Sequence, residues 1–261
     1  MTRHIDLNCD LGEGFGPWAP VDDASLLEVA SSASLACGFH AGDPATMRRT
    51  VRLALDRGVA VGAHPSLPDL QGFGRRSMDI TPLEAYELTL YQIGAMAAFL
   101  RAARGRLNHV KPHGALYNQA SRDRALADGI ARAVRDFDPS IILFGLSGSE
   151  LVAAGEAAGL TVAREAFADR GYQRDGSLIP RSQPGALIES IDEAVERGLV
   201  MALEGRVQTP LGEWVALEVD TLCIHGDNPG ALECARRLRA ALEGKGVRVA
   251  APRVDPPGPQ A

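Results

Sequence analysis

Short apolar runs of strand length alternate along the chain with amphipathic stretches of helix length. Apolar runs of about four to eight residues bounded by turn formers are typical of buried strands, and apolar positions three and four residues apart predict helices. We predict strands at residues 5–9, 34–39, 59–63, 107–111, 141–144, 161–165 and 222–225, with 247–250 as a further candidate. Helices are predicted from residue 22 and at 43–57, 81–104, 122–136, 147–158, 184–197 and 228–242, and residues 199–209 and 212–220 are predicted to pair as a hairpin.

The repeated alternation of strand and helix indicates parallel strands joined by right-handed crossovers. Seven or eight such units favour an α/β fold of the (β/α) barrel type, incomplete or distorted, and an open doubly wound sheet is the alternative. The length of 261 residues fits one domain, which we assign to residues 1–252. Residues 253–261 contain three prolines and are predicted to form a disordered tail.

Composition narrows the function classes. The net charge is −6 at pH 7, whereas a protein that binds nucleic acid usually carries a basic patch. No apolar run approaches the length of a membrane span, and the first residues contain no apolar signal-peptide region. The four cysteines are widely spaced, which is usual for reduced thiols. We therefore expect a cytoplasmic protein without a nucleic-acid or membrane partner.

Four of the six histidines follow an apolar run directly and precede a small or turn-forming residue. They are His40, His64, His113 and His225. In a parallel α/β fold these positions all lie at the carboxyl ends of strands, where such folds build their active sites. A lone histidine at such a position is more often structural, but four in the same topological place indicate a shared functional cleft.

Polar residues alternate along the first predicted strand. Asp6, Asn8 and Asp10 are separated by apolar residues and therefore lie on one face. Two carboxylates buried there must be paired, hydrogen-bonded or metal-bound. We interpret the deeper Asp6 as part of a structural network and Asp10, at the strand end, as a site residue. Glu13 follows between two glycines and is either a site acid or a solvated loop acid.

The fourth predicted strand repeats this alternation with His109, Lys111 and His113. Lys111 is expected on the same side as His113, where it can bind an anion or form a structural ion pair with Asp6 or Asp10. His109 lies deeper and is interpreted as structural.

Long loops add further polar candidates. After the third strand, the segment 72–74 (Gly-Phe-Gly) indicates a lid or a close backbone approach, and Arg75 or Arg76 can bind a carboxylate or phosphate bidentately. The loop after the sixth strand is long and charged and contributes Arg170. Asp227 follows the last predicted barrel strand.

Several motifs are absent from the sequence. It contains no G-x-x-x-x-G-K-[ST] phosphate loop, no G-x-G-x-x-G after the first strand, no G-x-S-x-G elbow and no H-E-x-x-H. Cys9, Cys37 and Cys223 are candidate nucleophiles near the cleft, but small buried thiols are the preferred interpretation. The chemistry therefore has to come from the strand-end residues.

Six segments together resemble the LamB/YcsF family, also called the PxpA family, whose members are the A subunits of 5-oxoprolinases. The segments are DLNCDLGEGFG at 6–16, ACGFHAGDP at 36–44, GAHPSLPDLQGFGRR at 62–76, HVKPHGALYN at 109–118, EAFADRGYQRDGSLIPRSQPGA at 165–186 and CIHGDNPGA at 223–231. The resemblance implies a distorted TIM-like barrel of about seven parallel strands, similar to the glycoside hydrolase/deacetylase superfamily. It also implies ATP-dependent hydrolysis of 5-oxo-L-proline to L-glutamate, carried out with PxpB-like and PxpC-like subunits.

Under this resemblance the strand-end residues can be given roles. A five-membered lactam is a stable amide, and ATP with Mg²⁺ can activate it by phosphorylating the amide oxygen before water attacks with the help of a general base. The catalytic candidates are Asp10, Glu13, His64, His113 and Lys111, with the base among the first three. The substrate-binding candidates are Asn8, His40, Arg75, Arg170, His225 and Asp227. Whether a divalent metal binds in the barrel is left open by the sequence.

Two other functions fit the same residues. A metal-dependent deacetylase-type hydrolase would use Asp10, His40 and His64 as metal ligands. A non-catalytic subunit that binds carbohydrate or a partner protein is the third hypothesis. The crowding of titratable groups at one strand-end face favours an enzyme over such a module.

Overall fold

The alternating pattern folds into a barrel with a wall of parallel strands. The computed structural model describes residues 3–16, 22–225 and 230–253. Its strands are β1 (His4–Leu11), β2 (Ser32–Ala36), β3 (Ala60–His64), β4 (His109–Val110), β5 (Ile142–Leu146), β6 (Val162–Phe167), β7 (Arg206–Gln208), β8 (Trp214–Ala216), β9 (Thr221–His225) and β10 (Arg248–Val249).

Helices connect most of these strands. They are α1 (Asp23–Leu26), α2 (Pro44–Asp56), α3 (Pro82–Ala102), α4 (Gly114–Ala120), α5 (Arg124–Phe137), α6 (Glu150–Ala157), α7 (Ile191–Glu204) and α8 (Ala231–Gly244). Local sequence fixes several starts, because side chains accept hydrogen bonds from the free N–H groups of the first turn. Asp43 caps α2 in this way, and Thr81 and Glu84 form a reciprocal capping box on α3. In the described part of the chain, no helix is both long and apolar enough to cross a membrane.

The barrel closes between its first and last wall strands. Parallel pairing runs in order from β1 to β6, and β9 pairs with both β6 and β1. In this register Asp10 lies opposite Ser34 of β2 and His225 of β9. Seven parallel strands therefore place their carboxyl ends together, at the end that we call the mouth, and their amino ends at the floor. The barrel prediction is confirmed, and the open doubly wound sheet is wrong.

Strand β1 shows how the alternation sorts side chains. Leu7 and Leu11 are fully buried in the hydrophobic core. Asp6 instead lies among strands at the floor, where it accepts hydrogen bonds at 2.7 Å from the hydroxyls of Ser32 and Thr221. The structural network predicted for Asp6 is therefore present, and the hydroxyl of Ser31, directly before β2, completes it at 2.6 Å.

The largest differences from the predicted elements are at two helices. Helix α4 is absent from the prediction. The helix predicted at 184–197 lies further along the chain as α7, so residues 199–204, predicted as strand, are helical. Ser190 caps α7 by accepting from the Glu193 N–H, and Gly205, with φ of 64°, ends it. The predicted hairpin is present in shortened form as the antiparallel pair β7 and β8.

Parts of two predictions fall outside the described residues. Residues 226–229 include Asp227 and the start of the helix predicted at 228–242. Residues 254–261 make up most of the predicted tail.

Candidate active site

A cavity of about 480 Å³ lies at the mouth of the barrel. It is lined by strand ends, by helix α4 and by the loops after β3 and β6. A concave site of this size with converging polar groups is the usual setting for small-molecule chemistry. The predicted site residues that line it are Asp10, His64, Arg75, Lys111, His113, Arg170 and His225.

Lys111 is the centre of a buried charge network in this cavity. Its Nζ lies 2.5 Å from Asp10 Oδ1 and 2.9 Å from Glu165 Oε1. It also donates a hydrogen bond to Asn8 Oδ1 at 2.8 Å. Of the two aspartates expected as partners of Lys111, Asp10 forms the ion pair, and Glu165 adds a second one.

Neighbouring charges decide the protonation states in this network. Burial opposes ionisation of Asp10, but His64 and Lys111 outweigh it and hold the pKa of this carboxyl well below its usual value. Burial also disfavours the Lys111 ammonium, but Asp10, Cys223 and Glu165 hold its pKa well above the usual value. These neighbours favour the ammonium form of Lys111, which can hold an anion or orient Asp10.

Three histidines and Glu13 meet beside this network. His40 Nε2 lies 3.0 Å from Glu13 Oε1, and His64 Nε2 lies 2.9 Å from His113 Nδ1. The rings of His40 and His113 stack in parallel with centres 3.8 Å apart. His64 Nε2 also lies 3.4 Å from Asp10 Oδ2, which joins the two clusters. Burial lowers the pKa of His40 and of His113 well below the usual value.

His225, the last residue of β9, lines the cavity and is paired with a different carboxylate. Its Nδ1 lies 3.0 Å from Asp169 Oδ2, and its ring stacks on Phe167 with centres 5.3 Å apart. Burial opposes ionisation of Asp169, but His225 outweighs it and lowers the pKa of this carboxyl. The carboxylate therefore fixes the orientation of the His225 ring, as in other acid–histidine pairs.

The arginines of the two long loops have different environments. Arg76 points away from the cavity and binds Asp69, with Nε 2.9 Å from Oδ1. Arg75 lines the cavity, with its guanidinium 4.9 Å from the centre of the Phe73 ring. Arg170 donates to two backbone carbonyls of its own loop at 2.7 and 2.9 Å. Of the adjacent pair in the first loop, Arg75 is thus the one placed to meet a ligand.

The loop after β3 approaches His113 through its backbone. Phe73 and Gly74 both have positive φ, at 55° and 64°. The Phe73 carbonyl oxygen lies 2.9 Å from His113 Nε2. A Cβ on Gly74 would lie 2.2 Å from Ser66 Oγ, so only glycine fits there. Of the two interpretations of this segment, the structure shows the close backbone approach.

Three predicted site residues lie behind the cavity wall, and one buried acidic residue that lines the cavity was not predicted. Asn8, Glu13 and His40 are at most 5% exposed and contact the cavity through Lys111, His113 and their neighbours. Glu165 was not among the predicted site residues, but it is fully buried on β6 and accepts a hydrogen bond from the Tyr117 hydroxyl at 2.8 Å. Its position at the end of a predicted strand, like that of the histidines, was the available signal.

A closed parallel barrel that gathers ionised side chains at the carboxyl ends of its strands defines a TIM-like barrel enzyme. Within this class, the chain belongs to the LamB/YcsF family, whose family model matches residues 5–255.

Named relatives match nearly the whole chain. A protein of Methylococcus capsulatus, described as the A subunit of 5-oxoprolinase, is 60% identical over 251 residues, covering 96% of this chain and 96% of the relative. A protein of Tolumonas auensis with the same description is 57% identical over 247 residues, covering 95% and 98%. The crystal structure of a lactam utilization protein from Thermus thermophilus superposes with a TM-score of 0.89 at 52% identity, covering 95% of this chain and 99% of that one.

Proposed function

We propose that this chain is the A component of an ATP-dependent 5-oxoprolinase, which hydrolyses 5-oxo-L-proline to L-glutamate. The observation that carries the proposal is the end-to-end similarity to proteins described as 5-oxoprolinase components of this kind. The similarity to a lactam utilization protein agrees with it, because 5-oxoproline is a five-membered lactam. A cavity of about 480 Å³ is ample for so small a substrate.

The reaction divides into activation and ring opening. ATP, bound with Mg²⁺, transfers its terminal phosphoryl group to the lactam oxygen, which makes the ring carbon a better electrophile. A general base then takes a proton from an attacking water, and the ring C–N bond breaks as the nitrogen takes up a proton, which leaves an acyl phosphate. A second water hydrolyses this acyl phosphate to L-glutamate and phosphate. Of the three candidate bases, Asp10 and His64 line the cavity, whereas Glu13 lies behind it.

Basic side chains in the cavity provide positive charge for the anionic groups of the reactants. Lys111, Arg75, Arg170 and Arg181 all line it, so an anion that enters meets several cations. Such groups stabilise the substrate carboxylate and the negative charge that builds on the lactam oxygen and the phosphoryl group. Substrate binding through Arg75, Arg170 and His225 is part of the same proposal.

The proposed enzyme needs partners. Each of the relatives is described as one subunit of an enzyme, which implies further subunits, and we propose PxpB-like and PxpC-like chains. The sequence carries no G-x-x-x-x-G-K-[ST] loop, so much of the phosphate chemistry can reside in those partners. Titration of nucleotide into this chain alone and into the full complex distinguishes the two locations. Dependence on ATP agrees with a cytoplasmic location.

Glutamate release from 5-oxoproline and ATP tests the proposal, with each component omitted in turn. We expect release only when all three chains are present. Asp10→Asn should lower kcat by about 100-fold or more, because the carboxylate that faces Lys111 and the cavity loses its charge. Asp56→Asn, on the exposed end of α2, is the matched control and should leave kcat unchanged. Full release without this chain would overturn the proposal.

A further inference from the structure

Four ligand-type side chains converge on one point at the cavity wall. Glu13, His40, His64 and His113 each offer one nitrogen or oxygen atom, and these atoms all lie within 4.8 Å of one another. All four residues are buried, and they come from four separate segments that follow β1, β2, β3 and β4 or end them. Such a gathering from distant parts of the chain requires a reason, since four buried polar groups are costly unless something satisfies them.

Hydrogen bonds to backbone carbonyls fix the tautomers of two of these histidines. His64 Nδ1 lies 2.7 Å from the Lys111 carbonyl oxygen, and His113 Nε2 lies 2.9 Å from the Phe73 carbonyl oxygen. A carbonyl oxygen only accepts, so each of these ring nitrogens carries the hydrogen. In the neutral rings the lone pairs are then on His64 Nε2 and His113 Nδ1, which face each other at 2.9 Å. Two lone pairs at that distance repel unless a proton or a cation lies between them.

The other two side chains lie against this pair and against each other. Glu13 Oε1 lies 3.0 Å from His40 Nε2 and 3.5 Å from His113 Nδ1. His40 Nδ1 is buried and has no hydrogen-bond partner among the described residues. Ligand atoms bound to one ion at about 2.0–2.2 Å lie about 3.0–3.5 Å from one another. The two separations from Glu13 fall in that range, and the 2.9 Å between His64 and His113 is just below it. A backbone carbonyl behind the imidazole, the usual support of a metal-binding histidine, is present for His64 and His113.

A second group of candidate ligands nearby is less suited to a cation. Asp10, Cys223 and His225 also have ligand atoms within 4.8 Å of one another. The Lys111 ammonium, however, lies 3.3 Å from Cys223 Sγ and 2.5 Å from Asp10 Oδ1. His225 Nδ1 is already paired with Asp169. A positive charge there would be repelled by Lys111, so the histidine cluster is the better site.

We propose that Glu13, His40, His64 and His113 bind one divalent transition-metal ion of the zinc class at the wall of the cavity. Imidazole ligands favour Zn²⁺, Co²⁺ and similar ions over Mg²⁺ and Ca²⁺, which prefer oxygen ligands. His64 and His113 line the cavity, so the ion is reachable from it. The proposal concerns binding by this chain alone, and its test does not require the proposed reaction. A His64 ring that binds an ion through Nε2 and the Lys111 carbonyl through Nδ1 has no nitrogen left to act as a base, which leaves Asp10 as the candidate base that lines the cavity.

The test is a titration of the chelator-treated, tag-free full-length chain with Zn²⁺ and with Co²⁺. Calorimetry should give one ion per chain, and bound Co²⁺ should show the visible absorption of a nitrogen- and oxygen-ligated ion. His64→Asn and His113→Asn should each weaken binding by about 100-fold or more, because each removes a ligand. His4→Gln is the control, since His4 is exposed at the opposite end of β1, and it should bind as the wild type does.

Thermal unfolding gives a second measurement that does not depend on activity. Zn²⁺ should raise the Tm of the wild type and of His4→Gln, because an ion that binds the folded state stabilises it by mass action. It should not raise the Tm of His64→Asn, whose fold is checked by circular dichroism. No stoichiometric binding to the wild type, or equal affinity in His64→Asn and His4→Gln, would overturn the proposal. A shared proton between His64 and His113, seen by NMR in a chain that binds no ion, would then be the alternative.

Discussion

Two aspartates on the same face of β1 have opposite electrostatic environments. Asp6, at the floor, accepts hydrogen bonds from hydroxyls, including those of Ser31 and Ser32, and burial raises its pKa to about 6. Asp10, further along the strand at the mouth, has the Lys111 ammonium 2.5 Å away, and its pKa is held well below the usual value. Both carboxylates are at most 5% exposed, so burial alone does not explain the difference.

The comparison distinguishes a structural carboxylate, Asp6, from a carboxylate of the candidate active site, Asp10. Neutral donors satisfy a buried carboxylate but only partly offset the cost of removing its charge from water. A neighbouring cation offsets that cost more fully and keeps the carboxylate ionised near neutral pH. The floor therefore holds Asp6 as a structural group, whereas the mouth holds an anion and a cation side by side at the cavity.

The largest effect is expected when the cation of the mouth is removed. Lys111→Met leaves the carboxylates of Asp10 and Glu165 buried together without a counter-charge. Breaking a buried pair in this way costs about 3–5 kcal/mol of unfolding free energy, which urea denaturation at pH 7 measures. Adding Glu165→Gln to Lys111→Met should recover part of the loss, since one of the two uncompensated charges is then removed.

An exposed ion pair provides the control for this prediction. Arg124 Nε lies 2.7 Å from Asp128 Oδ1, and both side chains are about half exposed, at 46% and 54%. Arg124→Met should cost at most about 1 kcal/mol, because water screens the pair. If Lys111→Met cost no more than Arg124→Met, the contrast between mouth and floor would lose its electrostatic basis.

Much of this comparison could be predicted from the sequence. Alternation of polar and apolar residues placed Asp6, Asn8 and Asp10 on one face, and the strand-end histidines indicated the mouth. These predictions depend on local patterns, the period of two along a strand and the direction shared by parallel strands. The choice of Asp10 over Asp6 as the partner of Lys111 was left open, because it depends on the packing of strands that are far apart in the chain.

Other features depend on contacts that no local pattern encodes. Glu165 accepts hydrogen bonds from Asn8 and Tyr117, which lie 157 and 48 residues away. The misplacement of α7 has a different cause, because its signals are local. Ser190 followed by Glu193 marks the start and Gly205 marks the end, but the earlier Pro184 was given more weight.

The pH dependence of stability can isolate the floor. The pKa of Asp6 rises from 3.8 to about 6 on folding, which corresponds to about 3 kcal/mol. The folded chain keeps this proton at pH values where the unfolded chain has lost it. The contribution of Asp6 to the free energy of unfolding is therefore fully present below about pH 4 and is lost as the pH rises to about 6. Above that pH the free energy of unfolding no longer changes through Asp6.

Urea denaturation of the wild type and of Asp6→Asn between pH 4 and 7.5 measures this contribution. Between pH 4 and 7.5 the free energy of unfolding of the wild type should fall by about 3 kcal/mol relative to that of Asp6→Asn, because the variant has no proton to lose at this position. Asp10, whose pKa falls on folding, acts in the opposite direction and only below its unfolded value of 3.8. If the free energy of unfolding changed with pH in the same way for Asp6→Asn and the wild type, the pKa of Asp6 would not change on folding. The proposed difference in electrostatic environment between Asp6 and Asp10 would then be wrong.

The smallest effect concerns a single hydroxyl at the floor. Ser32 Oγ donates to Asp6 Oδ2 at 2.7 Å, and Ser32→Ala removes this donor without adding volume. We expect Ser32→Ala to lower the free energy of unfolding by about 2 kcal/mol at pH 7.5, where Asp6 is ionised, and by about 1 kcal/mol at pH 5, where Asp6 is protonated. The loss is larger at pH 7.5 because a hydrogen bond to a charged acceptor contributes more to stability. Ser140→Ala removes an exposed donor 2.7 Å from Asp138 and should change stability by less than about 0.5 kcal/mol. A cost for Ser32→Ala that is the same at both pH values would show that Asp6 does not change charge in this range, and the difference from Asp10 would then rest on position alone.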